Sequence, residues 1–170
     1  MNRLFVILFI CFLVNTKTAS GQKVGIEQYI GTWCWSGGNG DSLIILLKKC
    51  NRGLTTLKSE PDSIFTNLVL GFHTYIEKGQ LVESNMNLVS DTLSHFQSIS
   101  GKIINGEMRM MFFDSLRDRE FKGTMKLLSE FPNKAILSLP YVGERVLWEK
   151  KKVYPDGRTL PDNIVLEKIK

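Results

Sequence analysis

The chain has 170 residues, of which 43% are hydrophobic and 23% charged, and its formal net charge is +5. This length is enough for one domain with a buried core. The positive charges are dispersed apart from one lysine run at residues 150–152. Nucleic-acid binding needs a clustered basic face, so the charge pattern argues against that class of function.

The N-terminus has the pattern of an export signal. Arg3 gives a short positive region, residues 4–14 form an unbroken apolar run, and Ala19 and Gly21 occupy the −3 and −1 positions of a signal peptidase site. As a helix the run spans about 16 Å, roughly half of a ~30 Å hydrocarbon core, which argues against a membrane anchor. We therefore predict a signal peptide over residues 1–21, a single domain over 22–170 that begins at Gln22, and export to the periplasm or the extracellular space. The mature chain has no later segment that is apolar and long enough to span a membrane.

From residue 22 onward, short β-favouring runs alternate with turn residues, and helical periodicity is weak. One helical turn is predicted at 24–29. Strands are predicted at 31–36, 42–50, 68–77, 80–86, 96–104, 107–114, 120–129, 134–139 and 164–169. Residues 51–67 are interpreted as a connection with room for a short strand at 54–58, and one more strand is considered at 141–152.

Turn chemistry joins these strands into hairpins. Asn105-Gly106 is the strongest signal, because both central residues of a type I′ turn need positive φ. Pro132 is placed in a turn over residues 130–133. Along 68–77, the alternation puts Phe72 on one strand face and His73 and Tyr75 on the other.

Sequential hairpins predict an all-β fold. The expected architecture is an antiparallel meander of about nine strands that closes into a barrel, because closure removes exposed edges. An open β-sandwich is the alternative.

Cysteine and histidine chemistry is not predicted. Cys50 lies six or seven residues beyond the position opposite Cys34 in the first hairpin, an offset of roughly 20 Å against the ~7 Å that a disulfide allows. Neither cysteine has a nearby feature that lowers a thiol pKa. His73 and His95 lack metal-ligand spacing and are interpreted as surface or half-buried residues.

No catalytic residue is assigned. The chain lacks a G-x-S-x-G elbow, and its glycine-rich turn at 37–40 lacks the lysine and helix of a phosphate loop. Five carboxylates at predicted strand ends are interpreted as solvated charges: Glu77, Glu83, Glu107, Asp114 and Glu120. We therefore expect no enzyme, no metal and no cofactor.

The alternation Met108, Met110 and Phe112 gives one strand face a soft apolar lining. Methionine adapts to irregular shapes, so this face is a candidate site for a small apolar ligand. The alternative is a packed core, which small barrels commonly have.

Two patterns resemble known families. Residues 29–33 read YIGTW, in which Gly31 and Trp33 are similar to the G-x-W that opens the first strand of lipocalins and their calycin relatives. This resemblance implies that Trp33 plugs the barrel base, with Arg145 as a basic partner from a late strand. A longer pattern combines LLKK at 46–49, GFHTY at 71–75, GQ at 79–80, ES at 83–84 and LPDNIVLEK at 160–168. Together these resemble a family of small secreted bacterial proteins with a lipocalin-like barrel and no assigned function.

The sequence leads to a secreted, non-enzymatic β-barrel that binds a small apolar ligand. The alternative is a structural or protein-interaction module of the cell envelope, with an envelope protein as partner. A hydrolase is a third reading; it requires two carboxylates, or a cysteine and a histidine, across one cleft.

Overall fold

The computed structural model describes residues 25–50, 68–90, 97–145 and 159–169, with the backbone alone for 141–145. The predicted signal peptide and its cleavage site, the connection at 51–67 with its short strand, and His95 lie outside the described residues.

Strands dominate the part of the chain that the structure describes. They are β1 (Gly31–Ser36), β2 (Ser42–Lys49), β3 (Leu68–Glu77), β4 (Gln80–Ser84), β5 (Ile99–Ile104), β6 (Glu107–Asp114), β7 (Arg119–Leu128), β8 (Phe131–Arg145) and β9 (Ile164–Lys168). Short 3-10 helices occur at Ile26–Gln28, Gly38–Gly40 and Met86–Leu88.

Eight of the strands form a closed ring. β1 pairs with β2, β2 with β3 and β3 with β5; the ring continues through β6, β7 and β8 to β9, which pairs back with β1. Every pairing is antiparallel, and β4 lies beside β3 as one extra strand. The predicted all-β antiparallel barrel is confirmed, and the open sandwich is not formed. Closure leaves the ring without free edges.

One edge of β3 serves two partners in turn. Its residues 68–71 pair with β5, and residues 74–77 pair with β4. Between these segments Asn85 bridges the gap: its Oδ1 accepts a hydrogen bond from the His73 N–H at 2.7 Å, and its own N–H donates to the His73 carbonyl at 3.1 Å. The backbone N–H and C=O groups of β3 therefore keep hydrogen-bond partners at the point where the neighbouring strand changes.

Alternate residues from all eight ring strands fill the interior. Tyr29, Trp33, Phe112 and Phe121 are among the largest fully buried side chains. The polar atoms of two of them are satisfied, because the Tyr29 hydroxyl donates to the Gly106 carbonyl at 2.9 Å and the Trp33 Nε1 donates to the Tyr29 carbonyl at 2.8 Å. Each such buried side chain contributes about 1.5–3 kcal/mol relative to an exposed one.

The hairpin turns follow the sequence signals with one exception. Asn105 and Gly106 have φ of 53° and 78°, as a type I′ turn requires. The placement of Pro132 in a turn is wrong: the turn falls at residues 129–130, and Pro132 is the second residue of β8. Proline is tolerated there because pairing of β8 with β9 begins only at Lys134, so no partner on that side needs its missing N–H. The backbone of 141–145 continues β8 instead of starting a further strand.

β3 is buried on both faces. Its inward face includes Tyr75 and His73, and its outward residues Leu70 and Phe72 form a second small cluster with Cys50. The alternation was predicted, but the strongly apolar face points away from the barrel. The interpretation of His73 as a surface or half-buried residue is wrong, because its side chain is fully buried.

Candidate functional site

The interior residues that the sequence suggested for ligand binding share the inward face of β6. Met108, Met110 and Phe112 are 0%, 5% and 1% exposed and belong to the main core cluster. In register, Met108 lies between Ile103 of β5 and Met125 of β7. These side chains contribute to a packed interior, and a ligand among them stays a prediction.

Trp33 of the G-x-W pattern is fully buried on β1. Gly31 has a φ of 129°, which a residue with a side chain rarely adopts. The Lys168 Nζ lies 5.4 Å from the Trp33 ring centroid and donates a hydrogen bond to the Gln28 carbonyl at 2.9 Å. Burial lowers the pKa of Lys168. The sequence analysis named Arg145 as the basic partner and missed this cation–π contact from Lys168 on the last strand.

Arg145 lies at the other end of β8. Lys134 pairs with Glu167, the neighbour of Lys168, whereas Arg145 pairs with Arg119. Arg145 lies eleven positions after Lys134 along β8, a distance of about 36 Å at ~3.3 Å per residue. The basic residue that the structure brings to Trp33 is therefore Lys168.

The two cysteines stand as far apart as the hairpin geometry predicted. Cys34 pairs with Ile44, six residues before Cys50. The structure contains no disulfide between Cys34 and Cys50. Among the described residues, no group of three or more histidine, cysteine, aspartate or glutamate side chains is arranged to hold a metal ion.

A buried polar cluster fills the gap between β4 and β5. It comprises His73, Glu83 and Ser98, and the exposed Ser115 is hydrogen bonded to it from the surface. The His73 Nδ1 is hydrogen bonded to the Ser98 Oγ at 2.7 Å, and the His73 Nε2 lies 3.4 Å from the Glu83 Oε2. The Ser115 N–H donates to the Glu83 Oε1 at 3.2 Å, and the Ser115 hydroxyl donates to the same oxygen. The cluster thus connects β3, β4, the start of β5 and the turn after β6.

The electrostatics of this cluster favour an ionised carboxylate. Burial raises the pKa of Glu83, but the contact with His73 and the two hydrogen bonds from Ser115 outweigh it and hold the pKa below its usual value. Sequence reasoning treated Glu83 as a solvated charge because nothing local showed that the β3–β4 hairpin folds it against His73.

The serine, histidine and glutamate of this cluster do not form an accessible nucleophile. His73 is 0% and Ser98 7% exposed, and the edge of the Phe112 ring packs on His73 with 4.9 Å between ring centroids. In the part of the chain that the structure describes, both side chains are covered, so a substrate carbonyl would have to displace other residues to reach the Ser98 hydroxyl. These contacts hold β3, β4, the start of β5 and the turn after β6 together at one end of the barrel.

A second group of polar contacts, around the Asp114 carboxylate, holds the final loop against the barrel. Asp114 is fully buried, and its carboxylate accepts hydrogen bonds from the Thr159 N–H at 2.9 Å, the Thr159 hydroxyl at 3.0 Å and the Arg117 N–H at 3.1 Å. The prediction of a solvated charge at Asp114 is therefore wrong: the final loop covers it and supplies the donors that a buried carboxylate needs.

An open groove of about 660 Å³ lies on the outer face of β5, β6 and β7, and we name it the outer groove. Apart from three inward positions at its base, Gly101, Met110 and Gly123, its lining residues occupy outward positions, and its wall is mainly apolar. Its apolar residues are Leu68, Ile104, Met111 and Pro140, its charged residues are Lys102, Glu107, Arg109 and Lys122, and the rest of its lining is Ser100, Gly101, Met110, Gly123 and Thr124. It spans strands from β3 to β8, about 19 Å for four intervals of ~4.8 Å.

Two glycines lie at the base of the outer groove. Gly101 and Gly123 flank Met110 in register across three adjacent strands. At Gly123 a Cβ atom would lie 2.5 Å from the Leu139 Cδ2 and closer still to the Ser138 carbonyl oxygen. The register of β7 with β8 also shifts here, which marks an irregularity that bends a strand. The sequence analysis assigned no role to Gly101 or Gly123.

Comparison with protein-family models gives a match over nearly the whole chain. The model of a family of unknown function, DUF6705, matches residues 1–169. The chain belongs to this family. Among curated proteins and among solved structures, the searches found no match. Membership in DUF6705 brings no known activity, so function has to be argued from the chain itself. No helix among the described residues is both long and apolar enough to cross a membrane.

Proposed function

We propose that this member of DUF6705 is an exported, non-enzymatic binding module whose outer groove holds the apolar part of a small amphipathic ligand. The observation that carries the proposal is the outer groove itself, whose volume of about 660 Å³ is of the size found at ligand sites, ~300–1,000 Å³. Export rests on the N-terminal pattern of Arg3, the apolar run at 4–14 and the small residues Ala19 and Gly21.

The outer groove is open, so the expected affinity is modest. Each methylene removed from water contributes about 0.8 kcal/mol, and five buried methylenes of an octyl chain contribute about 4 kcal/mol. That corresponds to a Kd on the order of 1 mM.

The test is an NMR titration of the ¹⁵N-labelled protein with 1-octanol. We expect amide shifts in β5, β6 and β7. We also expect a loss of affinity of roughly fifteenfold at most in Met111→Thr, because about two methylene-sized groups leave the wall and each contributes up to about 0.8 kcal/mol. Ile136→Thr is the matched control, since Ile136 is an outward-facing residue of β8 that does not line the outer groove. Shifts confined to the barrel interior, or equal losses in both variants, would contradict the proposal.

A protein-interaction role in the cell envelope is the second candidate. Ile136 and Val165 pair directly on the outer surface of β8 and β9 and are 37% and 49% exposed. Adjacent exposed apolar side chains of this kind occur at protein contacts. Sedimentation analysis tests this role: it predicts self-association that Ile136→Thr abolishes, and a monomer at all concentrations would oppose self-association through this pair.

A further inference from the structure

We infer that the ligand of the outer groove is a single-chain amphiphile with a carboxylate headgroup, such as a fatty acid. This inference rests on the proposed function and adds the charge of the ligand to it. It is argued from how the cations of the outer groove are placed in the sheet.

Two of these cations face each other across adjacent strands. Lys102 of β5 and Arg109 of β6 are direct partners in an antiparallel pair, where side-chain Cβ atoms lie about 4.5–5.5 Å apart. Like charges at such positions repel and destabilise the sheet. Within the described part of the chain, neither side chain takes part in a salt bridge. A bound anion would offset this repulsion.

A third cation extends the same positive region. Arg109 pairs with Thr124, and Lys122 lies two residues earlier on the outward face of β7, so it is a diagonal neighbour of Arg109 at about 7–8 Å. Among the described residues that line the outer groove, Glu107 is the only acidic one. Lys122 has an interaction of its own, so the excess of positive charge rests on Lys102 and Arg109. The guanidinium of Arg109 supplies the paired donors that a carboxylate headgroup binds in bidentate fashion.

The apolar residues lie beside these charges. Leu68 pairs with Lys102, and Met111 pairs with Lys122, so each of the two lysines stands next to an apolar side chain of the wall. An alkyl chain on Leu68 and Met111 therefore brings its polar end to the lysines or to Arg109. A neutral or cationic headgroup would leave the repulsion in place.

The experiment compares three probes with one chain length: octanoate, 1-octanol and octyltrimethylammonium, each titrated at pH 7 and low salt. We expect octanoate to bind the outer groove about tenfold more tightly than 1-octanol, and the cation to bind most weakly. Raising the salt concentration is expected to remove most of this difference, because exposed charges are screened. Equal binding of octanoate and 1-octanol in the outer groove would overturn the carboxylate inference and leave the proposed function standing. Failure of all three probes to bind would overturn both.

Charge-removing variants locate the effect. Arg109→Gln is expected to weaken octanoate binding about fivefold and to leave 1-octanol binding within twofold. Lys126→Gln is the matched control, since Lys126 is an exposed lysine of β7 outside the lining of the outer groove. The urea midpoint of Lys102→Gln should be equal to or above that of the parent, because a repulsive pair is removed. Equal losses of octanoate binding in Arg109→Gln and Lys126→Gln would contradict the inference.

Discussion

Replacing Glu83 with glutamine is expected to lower the free energy of unfolding by about 2 kcal/mol at pH 7. Glutamine keeps an oxygen for the two hydrogen bonds from Ser115, but the acceptor becomes neutral. A hydrogen bond to a charged group contributes about 1.5–3 kcal/mol and one between neutral groups about 0.5–1.5 kcal/mol, so each of the two bonds loses about 1 kcal/mol. The weakening of the 3.4 Å contact between the Glu83 Oε2 and the His73 Nε2 acts in the same direction.

The pH dependence of this loss has a definite sign. The pKa of Glu83 is lowered in the folded state, whereas an unfolded glutamate titrates near pH ~4.3. The carboxylate therefore contributes its full stability above that pH, and the contribution disappears as the pH falls through the folded pKa. The stability difference between the parent and Glu83→Gln should shrink below about pH 4.3.

Urea unfolding at pH 7 and at about pH 3 measures both quantities, with tryptophan fluorescence as the signal. Glu77→Gln is the control, because Glu77 is an exposed carboxylate at the end of β3. A loss of the same size at both pH values, or a loss at pH 7 no larger than that of Glu77→Gln, would refute the reasoning about the buried polar cluster.

Further stability predictions follow from the packing and can be measured by urea unfolding. Gly123→Ala should cost about 1–3 kcal/mol, because its Cβ would overlap β8, whereas Gly25→Ala, with open space around it, should cost little; equal costs would contradict this packing. Lys168→Met should cost about 1–2 kcal/mol and change Trp33 fluorescence, since it removes a cation–π contact and a hydrogen bond; an unchanged spectrum and midpoint would contradict it. Asp114→Ala should cost about 3–5 kcal/mol and increase amide exchange in the loop at 159–163; unchanged exchange would contradict its role.

The barrel was predictable because its strand signals are local. Asn105-Gly106 specifies a hairpin through backbone conformation alone, and the alternation along β6 correctly places Met108 and Phe112 on one face. Pro132 was misplaced because a proline ring is compatible with both a turn and the start of a strand. Its permitted position depended on where β9 begins to pair, which no local pattern shows.

The candidate site was much less predictable, because it depends on which side chains lie opposite each other across paired strands, and the strand signals of each segment do not show this. Lys102 and Arg109 each look like ordinary outward charges of a strand, and only their direct pairing makes them unusual. His73 and Glu83 lie ten residues apart in one hairpin, and their contact follows from the register shift between β3 and β4. The alternation along β6 predicted a ligand site on its inward face, whereas the outer groove lies mainly along the outward face of the same strand.

The central claim, that a ligand occupies the outer groove, is tested most directly by paramagnetic relaxation enhancement with a nitroxide-labelled fatty acid. The account predicts that amide signals near Ser100, Arg109, Met111 and Lys122 broaden, and that reduction of the nitroxide restores them. Broadening centred on residues around Trp33 and Phe121, with the outer groove unaffected, would contradict it.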